Sequence, residues 1–99
     1  FKVKGLWVSP IEIEAAITAH ASVLEAAVVS FDDKDGFTKP RAYVVLKKGV
    51  EPNDALRQEL CAQVRPLGGY KVPEDILFID ALPRTTLMKI DRRALRDRK

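Results

Sequence analysis

Two apolar, β-branched runs on either side of a short acidic turn constrain this chain more than any other feature. Val23 to Phe31 carries Val23, Ala27, Val28 and Val29, and Arg41 to Lys47 carries Ala42, Tyr43, Val44, Val45 and Leu46. Side chains of this kind suit a pleated, half-buried surface. Asp32-Asp33-Lys34-Asp35-Gly36 between them has turn chemistry, because aspartate bonds its own backbone and glycine accepts positive φ. The spacing predicts a long antiparallel hairpin. The three aspartates read as a polar turn; as a metal loop they lack the glutamate and the spacing of a calcium site, and no metal site is predicted.

The flanking sequence supplies elements to cover that hairpin. Ser9-Pro10-Ile11-Glu12 has serine at the N-cap, proline at the first helical position and glutamate three residues after the cap, a full capping box. It predicts a helix through about His20, with Ile13, Ala16, Ile17 and His20 on one face. Asn53 or Asp54 opens a second helix, with Leu56, Leu60, Val64 and Leu67 at three- and four-residue spacing, and Gly68-Gly69 stops it. Tyr70-Lys71-Val72-Pro73 leads to a last strand, Asp75 to Ile79. Lys2 to Val8 reads as a short strand or hairpin arm bending at Gly5. Asp91 can cap a short terminal helix. This order predicts an α+β fold, a small three-stranded sheet with a long antiparallel hairpin, flanked by helices.

Bulk properties set the class. Ninety-nine residues, 46% hydrophobic and 31% charged, make one small soluble domain over residues 1–99. No apolar run approaches the ~20 residues of a membrane span, and no signal-peptide pattern is present. The chain opens at Phe1, already inside Lys-Val-Lys-Gly, which suggests a piece of something longer. The single cysteine, Cys61, excludes an internal disulfide and a cysteine-based zinc cage, makes a reducing cytoplasm the default setting, and reads as a structural thiol. The single histidine, His20, has no second histidine to work with and takes no catalytic or metal role. Arg84 to Lys99 holds seven basic residues against two acidic ones, a local +5 within a net +3, so the first 83 residues carry −2. Such an end can meet phosphates or simply be solvated.

Leu82-Pro83-Arg84-Thr85-Thr86-Leu87-Met88-Lys89-Ile90 is the stretch with most chemical promise. A strand-like run delivers the chain to Pro83, and one lysine then stands between two apolar side chains after a turn. An ammonium on a constrained loop suits a carboxylate or phosphate. On residue type alone the plainer reading is favoured, Lys89 as one of 17 basic residues on a solvated surface.

At this point the residues resemble a family. Lys2-Val3-Lys4-Gly5-Leu6-Trp7-Val8-Ser9-Pro10-Ile11-Glu12-Ile13-Glu14 is similar to the opening of the C-terminal domain of the adenylate-forming enzymes, which include acyl- and aryl-CoA synthetases, peptide-synthetase adenylation domains and firefly luciferase. Val23 to Val29 with Lys39-Pro40-Arg41-Ala42-Tyr43-Val44, then Tyr70-Lys71-Val72-Pro73, then Leu82-Pro83-Arg84-Thr85 follow in the family's order. Gly-Leu-Trp-Val-Ser-Pro is most like the benzoate-CoA ligase branch.

The resemblance implies a two-step reaction. A carboxylate and ATP give an acyl-adenylate and pyrophosphate; coenzyme A then displaces AMP to give the thioester. The partners it implies are the chain's own N-terminal domain, with its ATP loop and acid pocket, and an aromatic carboxylate, with no nucleic acid and no membrane. Mg2+ is expected with ATP but on the N-terminal domain. Lys89 matches the catalytic lysine of the first step. Gly5 matches the glycine that faces the active site in the second, where Lys4, Leu6 and Trp7 would flank the pantetheine arm. Tyr70 matches an aromatic near the CoA nucleotide in some ligases, although packing under the sheet is an equal reading for Tyr70 and another for Trp7. Most members have Thr-Gly or Ser-Gly before the lysine, where this chain has Leu87-Met88; glycine permits backbone angles that methionine resists. Val72 and Glu74 stand where some relatives place basic residues for CoA phosphates. The same domain in a fatty acyl-CoA synthetase or a peptide-synthetase adenylation enzyme is the near alternative, and a basic nucleic-acid-binding module the distant one.

Overall fold

The computed structural model describes residues 1–3 and 5–96. The acidic turn folds as expected. β3 (Val23–Asp32) and β4 (Thr38–Leu46) pair antiparallel from Val23↔Leu46 to Asp32↔Thr38, with a register irregularity between Val23 and Glu25. Asp33 Oδ1 accepts from the Asp35 and Phe37 amides at 2.9 and 3.0 Å, so its carboxylate caps the turn. The returning strand starts at Thr38, three residues before the Arg41 that the apolar run marks. Pro40 hides those residues, since proline has no N–H for a ladder. It is tolerated because the third strand begins pairing only at Arg41↔Asp75.

That third strand, β5 (Asp75–Phe78), pairs parallel with β4, giving the order β3-β4-β5. A parallel neighbour needs a crossover, usually a helix. Here it is α2 (Asp54–Val64), followed by two 3-10 turns, Arg65–Leu67 and Gly69–Lys71. Asn53 caps α2 by accepting from the Leu56 amide at 2.8 Å. Leu56, Leu60 and Val64 are buried, but the helix ends before Leu67, which lies half-buried in the first 3-10 turn. Pro66, without an N–H to continue the ladder, accounts for the stop.

α1 (Pro10–Thr18) begins at the Ser9 cap and ends two residues short of His20. Only half of the capping box forms. Ser9 Oγ accepts from the Glu12 amide at 3.4 Å, while the Glu12 carboxylate accepts from Lys71 Nζ at 2.8 Å instead of turning back to the cap. The ammonium of Lys71 is a stronger donor than a solvated amide. His20 Nδ1 accepts from the Ser22 amide at 3.1 Å, which ties the turn into β3.

The alternation of β3 and β4 sends side chains to two separate cores. Val23, Ala26, Val28, Ala42 and Val44 face α1 and α2, where Ile13, Ile17, Leu56, Leu60 and Val64 complete one cluster. Burying each of the larger side chains contributes about 1.5–3 kcal/mol. Ala27, Val29, Tyr43 and Val45 point the other way and meet Leu82 and Leu95, with Ile79 and Ile90 against them. Tyr43 Oη donates to the Leu95 carbonyl at 3.1 Å. Through these contacts the sheet's second face fixes both ends of the segment around Lys89, whose terminal helix is α3 (Arg92–Arg96).

Candidate functional site

Lys89 stands on a closed loop. Arg84 bridges Ile90 across its neck, and the Asp91 amide donates to the Pro83 carbonyl at 2.8 Å. Inside, the Thr85 amide donates to the Lys89 carbonyl at 2.8 Å and the Met88 amide to the Thr85 carbonyl at 2.9 Å. Thr85 Oγ1 accepts from the Leu87 amide at 3.3 Å. This is a tight turn followed by one left-handed residue, a geometry that ordinarily places glycine at the left-handed position. That residue is Met88, with φ 65°, the one non-glycine residue at positive φ among those described. The loop therefore keeps the glycine-type backbone that Leu87-Met88 was expected to resist, at a cost of about 1–2 kcal/mol for a side chain in that region. Leu87 and Met88 themselves project into solvent, 76% and 72% exposed.

The stems explain how the strain is held. Leu82 and Ile90 sit on the second core cluster. Arg84 pairs with Glu25 of β3 and also donates from Nη1 to the Met88 carbonyl at 3.3 Å. Beyond the loop, the Glu14 carboxylate of α1 accepts from Arg92 Nη2 at 2.6 and 2.8 Å and from the Val28 amide at 2.7 Å, joining α1, β3 and α3. Lys89 is exposed, and none of the ion pairs among the described residues uses it. A free ammonium on a rigid loop can stabilise two anions brought together. Of the basic end, Arg84 and Arg92 are thus neutralised internally, and Arg98 and Lys99 lie outside the described residues.

Gly5 lies elsewhere. β1 (Lys2–Val3) and β2 (Leu6–Trp7) pair as a minimal hairpin, Lys2↔Trp7 and Val3↔Leu6, with Gly5 at φ 77° in its turn. A β-carbon added at Gly5 would meet nothing within 4 Å. The turn's backbone, and no internal packing, requires the glycine. Lys4 lies outside the described residues. Leu6 and Trp7 are 49% and 73% exposed, with Lys2 Nζ 4.7 Å from the centre of the Trp7 ring; Trp7 does not pack under the sheet.

Tyr70 is half-buried against the first core cluster and lines a cleft with Val3, Lys39, Pro40, Gly69, Val72 and Glu74. Gly68 (φ 141°) backs its ring so closely that an added β-carbon would stand 2.9 Å from Tyr70 Cε1. The cations at this cleft are engaged. Lys39 Nζ lies 3.2 Å from Asp33 and 3.5 Å from Glu74, and Lys71 is bonded to Glu12. These carboxylates hold both ammonium groups above their usual range, Asp33 chiefly through its hydrogen bond to Lys39 and Glu12 likewise to Lys71. The cleft can offer a ring face, but it offers little to a phosphate.

The structure does not bring Lys89 together with Gly5 or Tyr70. The first hairpin abuts Phe37–Lys39 through Val3, and the Lys89 loop is fastened at Glu25. Those anchors differ by seven positions on the β3–β4 ladder, roughly 23 Å of strand, and lie on opposite faces of the sheet. Elsewhere, burial pushes the Cys61 thiol up, opposed more weakly by the Arg65 charge, and it packs against the core as a structural thiol. Among the described residues no three His, Cys, Asp or Glu side chains converge as a metal site, and no helix is long and apolar enough to cross a membrane. Sequence reasoning missed Arg84 and Glu25. The only signal was an arginine at the neck of the loop.

Known proteins share this fold. The family of AMP-binding enzyme C-terminal domains matches residues 12–89. A benzoate–CoA ligase of Thauera aromatica is 51% identical over 96 residues, 96% of this chain and 18% of that protein. An acetyl-coenzyme A synthetase of Rubrobacter xylanophilus is 45% identical over 95 residues, 95% of this chain and 15% of that protein. The crystal structure of a benzoate CoA ligase from Burkholderia xenovorans LB400 superposes with a TM-score of 0.86 at 47% identity, over 92% of this chain and 19% of that one. The chain therefore spans less than a fifth of the length of the relatives it matches. A three-stranded sheet that fixes a lysine loop on one face and a glycine hairpin on the other, together with a family match over most of its length, makes this chain a member of the AMP-binding enzyme C-terminal domain family.

Proposed function

We propose that this chain, residues 1–99, is the mobile C-terminal domain of an ATP-dependent aryl-CoA ligase, acting on benzoate or a substituted benzoate. In this reading the carboxylate oxygen attacks the α-phosphorus of ATP and pyrophosphate leaves. The CoA sulfur then attacks the acyl carbon and AMP leaves. Lys89 reaches the carboxylate and phosphate oxygens in the first step, where two anions must approach and a fixed ammonium offsets their repulsion. After the domain turns, Gly5 with Lys4, Leu6 and Trp7 lies along the pantetheine arm, and Tyr70 offers its ring to the adenine of CoA. The acid pocket and any Mg2+ held with ATP belong, in this reading, to an N-terminal domain.

The observation that carries the reading is the geometry of Lys89: an exposed ammonium, in no ion pair among the described residues, on a loop closed at its neck, strained at Met88 and anchored to the sheet. The aryl assignment rests on the names of the benzoate–CoA ligases. A close match to an acetyl-coenzyme A synthetase favours a second reading, the same domain serving an aliphatic acid. A test is Lys89→Ala in the full-length protein, assayed for pyrophosphate release with benzoate and ATP. A fall of about 10²–10³ in rate is expected; an unchanged rate would contradict the role given to Lys89.

A further inference from the structure

The loop that carries Lys89 is held by a side chain that does not itself point to substrate chemistry. Arg84 stands at the neck, opposite Ile90. Its Nη2 is paired with the Glu25 carboxylate, and its Nη1 donates to the Met88 carbonyl at 3.3 Å. That carbonyl belongs to the peptide bond leading into Lys89. One planar guanidinium thus ties β3 to the bond immediately before the lysine, using two nitrogens at once, which an ammonium on a flexible stem does less well. The tie matters because Met88 is in the left-handed region, where a side chain strains the backbone, so the loop has a local tendency to relax. The apolar tip, Leu87 and Met88, is exposed and supplies no packing to oppose this.

We propose that Arg84, anchored by Glu25, is the positioning residue for Lys89: it holds the loop in the conformation that presents the ammonium during acyl-adenylate formation. The proposal rests on the reading of Lys89 given above. Arg84 acts through Lys89 and has no role in the thioester step, for which the domain presents its other face.

The test uses the full-length protein with Arg84→Gln, Arg84→Lys, Glu25→Gln, Lys89→Ala and the double variant Arg84→Gln/Lys89→Ala. Two reactions are followed separately: pyrophosphate release from benzoate and ATP, and benzoyl-CoA formation from pre-made benzoyl-adenylate. Arg84→Gln should lower kcat of the first about 10- to 100-fold, the range expected for a misplaced group, with KM for ATP little changed. Glu25→Gln should act in the same direction and Arg84→Lys should recover part of the loss. In the Lys89→Ala background Arg84→Gln should add nothing, since groups acting as one unit are not additive. Thioester formation should persist throughout. The proposal is overturned if Arg84→Gln leaves the first reaction intact while Lys89→Ala lowers it, or if its full effect multiplies onto that of Lys89→Ala. It is also overturned if both reactions fall together with the melting temperature, the mark of a merely structural pair. If Lys89→Ala itself leaves the first reaction intact, the underlying reading fails and the positioning role with it.

Discussion

Met88 occupies a backbone position that glycine would take without strain, and the surrounding hydrogen bonds impose that position on it. Its replacement by glycine should remove a penalty of about 1–2 kcal/mol, partly offset by the ~0.5–1 kcal/mol of freedom that glycine gains when unfolded. Met88→Gly is thus expected to leave stability equal or raise it by about 1 kcal/mol, and Met88→Val, with a branched β-carbon, to lower it; urea unfolding of the pair measures both. Gly68 is the converse case. An added methyl would press on the Tyr70 ring at 2.9 Å with φ at 141°, so Gly68→Ala should cost about 1–3 kcal/mol and displace the ring, read as a change in tyrosine fluorescence. At this scale the sequence was only partly legible. Leu87-Met88 before the lysine raised the question of loop geometry, but no local propensity places a methionine at positive φ. The pairing of Arg84 with Glu25 joins residues 59 apart in sequence, beyond any local pattern.

Between elements, the two-sided alternation of β3 and β4 does most of the organising; the hairpin was readable from branched residues around an acidic turn, whereas its burial on both faces was not. What lay beyond reading was the use of charged and polar side chains as ties. Glu14 faces both α3 and the β3 backbone, with only 12% of its side chain exposed. Glu14→Gln should cost roughly 1–3 kcal/mol, the range for weakening a charged group's buried hydrogen bonds, and hydrogen exchange should rise at Val28. Tyr43→Phe, removing the bond to Leu95, should cost about 1 kcal/mol and loosen α3 before the sheet. The acidic turn carries a pH dependence. Amide donation from Phe37 leads the causes that hold Asp33 below its ordinary value, with Lys39 and Asp35 adding to it and desolvation opposing. Its folded pKa is depressed, so its contribution is full above the unfolded value near 4 and is lost as pH falls through the folded one. Asp33→Asn should flatten that acid limb of a stability–pH curve and leave neutral pH behaviour little changed. Only half of the capping box forms because Lys71, 59 residues away, competes for Glu12; tertiary partners override local caps.

On the scale of the whole molecule, the sheet separates two features of different use. The Lys89 loop is bound to one face near Glu25, and the Gly5 hairpin covers the other face near Phe37–Lys39. A rigid body built this way can present only one of them to a single partner pocket at a time. The domain turn proposed above draws on that geometry: a two-step reaction using both features would need the body to rotate. The order of motifs made this reading available before the structure, while the opposition of the two faces emerges only from the strand register. The most direct test compares Lys89→Ala with Gly5→Leu in the full-length protein, each assayed for pyrophosphate release from benzoate and ATP and for benzoyl-CoA formation from benzoyl-adenylate. A crossed result is expected. Lys89→Ala should lose the first reaction by about 10²–10³ and keep the second, while Gly5→Leu should keep the first and lose the second. If each variant lowered both reactions equally, or neither, the two faces would not serve separate steps.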